Sequence, residues 1–249
     1  MARPTSLTRA IYRYSVFFFA AVLIASFVAF WRFYYSMLFE RPLHHHIHAA
    51  IMTGWVMMLV AEGWLIRVHY RKMHRRIGKL SYVLAPAVIV SMISMRHLQA
   101  SRFGTDLPDF ELFFIALNLL SNAPLFALAY GMAIWYVRQP AIHARFMVCT
   151  VFTGIIGPIL TRFFRFYVYP FTDKLPMIDG TPMPMHIIDP AIILTLAALS
   201  IWDWRAHRQR FVFPLMCLGC IVTRILVTEI YTTLLWREFS AWFVSLPLS

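Results

Sequence analysis

Of 249 residues, 60% are hydrophobic and 14% charged, where an average soluble domain carries about 25% charged residues. This excludes an ordinary soluble domain, and no loop is long enough to build a core of its own. The formal net charge of +12 does not point to nucleic acid, because the basic residues fall in short loops between apolar runs.

Seven apolar runs follow one another at roughly 14–38, 47–66, 80–96, 110–137, 146–169, 187–204 and 211–236. About 20 apolar residues in a helix span a bilayer, so each run predicts one crossing. The fold predicted is an all-α, polytopic membrane bundle of about seven helices, forming one domain over residues 1–249. The first run follows Arg3, Arg9 and Arg13 like a signal peptide. It is too long for one and continues into Trp31-Arg32-Phe33-Tyr34-Tyr35 without a small-residue cleavage site, so it reads as an uncleaved first helix. Aromatic residues such as Trp135, Tyr136, Trp202 and Trp204 gather at run ends, as an interfacial belt does.

Alternate loops hold 14 of the 23 basic residues, among them Arg67, Arg71, Lys72, Arg75, Arg76, Lys79, Arg138, Arg145 and Arg205, with Asp203 as the one acid beside them. The other loops hold Glu40, Asp106, Asp109, Glu111, Asp173, Asp179, Asp189 and Glu238. The positive-inside rule then predicts a cytoplasmic amino terminus and an outer carboxyl terminus, in a bacterial inner membrane with lipid as the surrounding partner. The stretch 170–186 carries Pro170, Pro176, Pro182 and Pro184, which predicts an irregular loop over the outer mouth.

The ten histidines cluster at run ends. His44, His45, His46 and His48 precede the second helix, His97 ends the third and His186 precedes the sixth. Imidazoles three or four apart share a helix face, so His44 with His48, or His45 with His48, could grip one metal ion, and His44, His46, His48, His97 and His186 are the candidate ligands for a divalent metal. The competing reading makes them interfacial anchors. His74 and His143 fall at one depth on the cytoplasmic side, each in a His-x-Arg pattern followed by a helix proline, Pro86 or Pro158. Two imidazoles at one depth on different helices can hold a b haem between them. Otherwise they mark helix starts facing anionic lipid. The repeated pattern also suggests two duplicated hairpins.

Ionisable groups inside spans are costly and mark candidate sites. Asn118, Asn122, Arg162, Arg165, Arg224 and Glu229 all fall in the outer half and predict a polar cavity for an anionic or lipid-like ligand. The structural alternative pairs Glu229 with Arg162 or Arg224 and spends the asparagines on backbone groups near Pro124. Glu62 lies near the inner end of the second helix, within reach of Arg67 or His74. Cys149, Cys217 and Cys220 read as small core residues. No phosphate-binding glycine loop, dinucleotide fingerprint or nucleophile elbow occurs.

The segments His46-Ile47-His48-Ala49, Gly54-Trp55, His74-Arg75-Arg76-Ile77-Gly78-Lys79 and Pro140-Ala141-Ile142-His143-Ala144-Arg145-Phe146-Met147 resemble a group of uncharacterised bacterial multi-pass membrane proteins. The resemblance covers about residues 44–160. More distantly, the histidines before helices three and five are similar to the haem-ligand placement of cytochrome b561-like bundles. That resemblance implies one b haem, on His74 and His143. A second haem would need a pairing such as His48 with His97 or His186, since the fourth helix has no histidine. Three functional expectations follow: a haem- or metal-binding redox protein, a transporter or binding protein for an anionic or lipid-like ligand, or a non-catalytic subunit or assembly factor of a membrane complex.

Overall fold

The computed structural model describes residues 6–169, 176–178, 181–205 and 211–248. Among them, seven helical stretches are long and apolar enough to cross a bilayer: Ala10–Phe30, Leu43–Arg67, Ser81–Phe103, Asp109–Trp135, Pro140–Val168, Met185–Arg205 and Val212–Ile230. The protein is an all-α, multi-pass membrane bundle, as its apolar runs predict. Arg3, Pro170, Asp173, Asp179, His207, Arg208 and Arg210 lie outside the described residues.

The elements in chain order are α1 (Ser6–Phe30), α2 (Leu43–Arg67), α3 (Arg71–Gly78), α4 (Ser81–Ala100), α5 (Asp109–Ala116), α6 (Ala123–Trp135), α7 (Pro140–Gly154), α8 (Ile156–Phe163), α9 (Met185–Arg205), α10 (Val212–Ile230) and α11 (Leu234–Ser245). Chain neighbours pack as pairs, α1 on α2, α6 on α7 and α9 on α10, while α2 also meets α4 and α1 meets α8. Trp55 is wholly buried at the centre, its ring edge-on to Phe126 at 5.2 Å and Tyr130 at 5.7 Å. α1 and α2 approach closely at Gly63, where an added Cβ would stand 3.0 Å from Val16 N and 3.1 Å from Val16 Cα. Small residues let membrane helices approach this closely. Gly63→Ala is therefore expected to destabilise the bundle by about 1–3 kcal/mol, the usual cost of overpacking. Reversible unfolding in mixed micelles measures it, and an unchanged midpoint would contradict the close contact.

Two run boundaries differ from expectation. The first apolar run was predicted to stay helical to 38, yet α1 stops at Phe30 and Tyr35–Glu40 forms a 3₁₀ turn. The seventh was predicted to reach 236, yet α10 stops at Ile230 and a separate helix follows. Hydropathy continues through that break, but capping does not. Thr233 is extended and its hydroxyl accepts from Trp236 N at 3.2 Å, which starts α11. The Trp236 indole N–H donates to Leu112 O at 3.1 Å and seats α11 across the start of α5. In the proline-rich stretch, Met177–Ile178 pairs antiparallel with Thr181–Pro182.

The two histidine-arginine patterns also differ in setting. His74 lies on α3, a short basic amphipathic helix that precedes the third span, whereas His143 lies in the first turn of a spanning helix. Arg145 is corrected from a loop charge to a core one. It and Asp203 are 0% exposed, and they form a two-pronged ion pair, Nε to Oδ2 at 2.8 Å and Nη2 to Oδ1 at 2.6 Å, tying α7 to α9.

Two backbone departures open the half of the bundle away from α3. Pro158 has no N–H and its ring crowds the carbonyl of Gly154, so the helix breaks at Ile155, φ −123° and ψ −49°. Pro124 acts likewise on Leu120, and the chain widens into a π turn over Leu117–Asn122. A second π turn covers Phe164–Val168.

Candidate functional site

Between these departures lies a cavity of about 500 Å³, bounded by six of the seven spans. Its volume falls in the range of small-molecule sites. The π turn at Leu117–Asn122 presents Asn118 and Asn122 to it, the second π turn presents Arg165 and Phe166, and the broken helix presents Thr153, Gly154 and Ile155. The first turns of α2 supply His45 and His48, and the end of α4 supplies Arg96. Phe30, Met52, Val56, Met92, Phe152 and Ile159 complete an apolar floor.

Arginine dominates the charge. Arg96 is paired with Glu111 across α4 and α5, both side chains buried, and its Nε has no partner. Arg162 lies with its guanidinium carbon 3.9 Å from the centroid of Phe33, while Arg41 meets the same ring at 4.6 Å. Such cation–π contacts hold a guanidinium without neutralising it. Among the described residues Arg162 has neither a hydrogen-bond acceptor nor a carboxylate partner. Arg41, Arg96, Arg102 and Arg165 all lie near enough for their charges to act on it. His45 is 4% exposed, and neither ring nitrogen has a partner. Asn118 Oδ1 is likewise buried and unmatched. Buried polar atoms are normally paired, so these atoms leave hydrogen-bonding capacity open around one space.

A smaller chamber adjoins the first and shares Asn122, Phe152, Thr153 and Asp189 with it. Arg224 lines it, with Nη1 2.7 Å from Asp189 Oδ2. That contact has the distance of an ion pair but not the direction of a hydrogen bond, since both atoms lack a partner by angle. Arg224 thus pairs with Asp189, and the expected pairing with Glu229 is corrected. Five residues at 3.6 per turn carry Glu229 roughly 140° around α10 from Arg224. It is exposed and lines neither chamber.

The histidines of the candidate metal set point in different directions. His46 donates from Nε2 to Arg41 O at 3.1 Å and accepts from the Tyr34 hydroxyl at 2.7 Å, which leaves no lone pair for a metal. His48 stands 3.2 Å from Ser91 Oγ through Nδ1. That hydroxyl gives its only proton to Val88 O at 2.9 Å, so His48 donates from Nδ1 and keeps Nε2 as an acceptor. His97 is fully buried, edge-on to Phe243 at 5.1 Å. His186 donates from Nε2 to Thr181 Oγ1 at 2.7 Å, because Thr181 already donates to Ile178 O. His44 is half-buried at the start of α2. Among the described residues no three His, Cys, Asp or Glu side chains converge as metal ligands do.

At the basic end, His74 Nδ1 is bonded to Glu62 Oε2, as the sequence allows, and Glu62 Oε1 is buried without a partner. His143 donates from Nδ1 to Ala133 O at 2.9 Å and lies within electrostatic reach of His74 and Glu62. Neither histidine lines the large cavity.

Four of the six residues expected in the polar cavity line it: Asn118, Asn122, Arg162 and Arg165. Sequence reading missed the inward turn of His45 and the Arg96–Glu111 pair, and it assigned Asp189 to a loop. The signal was present for the last three, which are charges lying inside helical spans near their ends. Comparisons of the chain with protein-family models, with curated proteins and with solved structures find no match, so the function is argued from the cavity.

Proposed function

We propose that this protein binds an anionic, lipid-like molecule within the membrane, as a transporter or binding protein does. One observation carries the reading: Arg162 faces a cavity of about 500 Å³ with no protein acceptor for its guanidinium among the described residues. An unpaired cation within a span is costly, and an anionic ligand would supply its counter-charge. The polar rim of Arg96, Arg162 and Arg165 suits the head, and the floor of Met52, Met92 and Phe152 suits the apolar part. With α3 toward the cytoplasm, as the basic loops argue, the cavity belongs to the outer half of a bacterial inner membrane.

The test is a melting-point series in neutral detergent with anionic, zwitterionic and cationic amphiphiles of one chain length. Anionic compounds alone are expected to raise the midpoint, by mass action on the folded state. Equal effects of all three classes would remove the reading.

A second reading concerns His74 and His143. Each has its Nδ1 fixed by an acceptor, Glu62 or Ala133 O, which is how ligating histidines are usually held. Those two side chains would hold a b haem, which supplies one-electron chemistry. A dithionite-reduced spectrum of protein made with ample haem tests it, and a colourless preparation sinks it.

A further inference from the structure

Resting on the binding reading above, we infer that the head group the cavity takes is a phosphate rather than a carboxylate. The first reason is charge. Arg41, Arg96, Arg102 and Arg165 lie near enough for their charges to act on Arg162, and Arg96 and Arg165 line the cavity with it. Among the cavity's carboxylates, Glu111 is engaged by Arg96 and Asp189 by Arg224. Arg41, Arg102 and Arg162 join no ion pair among the described residues. A carboxylate can bring only one negative charge to this surplus, whereas a phosphate monoester can bring two, or one together with a proton still to donate.

The second reason is the number and kind of open hydrogen-bonding groups. Arg162 offers five N–H groups, none taken by a protein acceptor among the described residues. Arg96 keeps Nε, and His45 keeps both ring nitrogens. One bidentate arginine already satisfies most of a carboxylate. Three phosphate oxygens use the remaining donors as well. A neutral His45 is also an acceptor, and nothing on a carboxylate can donate to it. A singly protonated phosphate can. His45 is therefore the residue that tells a phosphate from an ion of similar shape but without a proton.

The apolar floor accommodates an alkyl ester, but the chemistry at the head is shared by free phosphate, so the test separates the two. Octyl phosphate, octyl sulfate and octanoate, each below its micelle concentration, and inorganic phosphate are titrated by calorimetry into the whole protein in maltoside. Octyl phosphate is expected to bind at least ~10-fold tighter than the sulfate and the carboxylate, the worth of one added charge-assisted hydrogen bond. His45→Phe, which has neither donor nor acceptor, is expected to erase the preference over sulfate and leave residual binding of all three. Inorganic phosphate binding as tightly as octyl phosphate assigns the site to free phosphate, and much weaker binding assigns it to an alkyl phosphate monoester. Equal affinity for the three octyl anions overturns the phosphate assignment and leaves the anion-binding reading standing. Binding of none of them overturns both.

Discussion

Asp203→Ala is expected to destabilise the bundle by about 3–5 kcal/mol, the range for removing one member of a buried ion pair. Arg145 is 0% exposed and has all three of its guanidinium nitrogens engaged. Nη1 reaches its own helix at Ala141 O, 2.7 Å away, so only Asp203 supplies charge. Without that carboxylate a cation stays buried with two donors unmatched. The double variant Arg145→Met with Asp203→Leu removes both charges and is expected to lie close to the wild type, as hydrophobic replacement of buried pairs often does. Unfolding midpoints in mixed micelles measure all three proteins. A single variant as stable as the wild type would show that α7 and α9 do not depend on the pair.

Arg162→Gln is expected to act in opposite directions on stability and on binding. Among the described residues no carboxylate neutralises the Arg162 guanidinium, a cost to the ligand-free protein, so its removal is expected to raise stability without ligand by about 1–3 kcal/mol. The same change removes charge-assisted hydrogen bonds to the ligand, worth about 1.5–3 kcal/mol each, and is expected to weaken anion binding roughly 10- to 100-fold. Arg162→Lys keeps the charge but loses the planar fork, so its affinity is expected to fall between the two. Melting curves with and without an anionic amphiphile read both effects. A purely structural arginine, held by its contact with Phe33, would lose stability in the empty protein instead.

The seven crossings were legible because lipid imposes one rule on every span, and composition records it. The break after Ile230 was not, because Tyr231, Thr232 and Thr233 barely interrupt the hydropathy while the Thr233 side chain restarts the helix locally. Arg145 looked like a loop charge because its position one turn into α7 is also where positive-inside residues fall, and only the arrival of Asp203 from α9 distinguishes the two. The cavity was half legible. Arg162 and the two asparagines stood out as polar groups inside apolar runs. Glu229 stood out for the same reason but faces away, since depth along a helix does not fix direction around it. Among four near-adjacent histidines, sequence spacing named a shared face but not which ring turns inward. His45 does, while His46 is spent on Tyr34 and Arg41.

Part of the cavity wall follows main chain. The break below Pro158 and the widened turn before Pro124 are bends of the backbone, and both border the cavity. On the binding reading, exchanging Arg162 or His45 is expected to alter which head group is accepted while those proline bends stay in place.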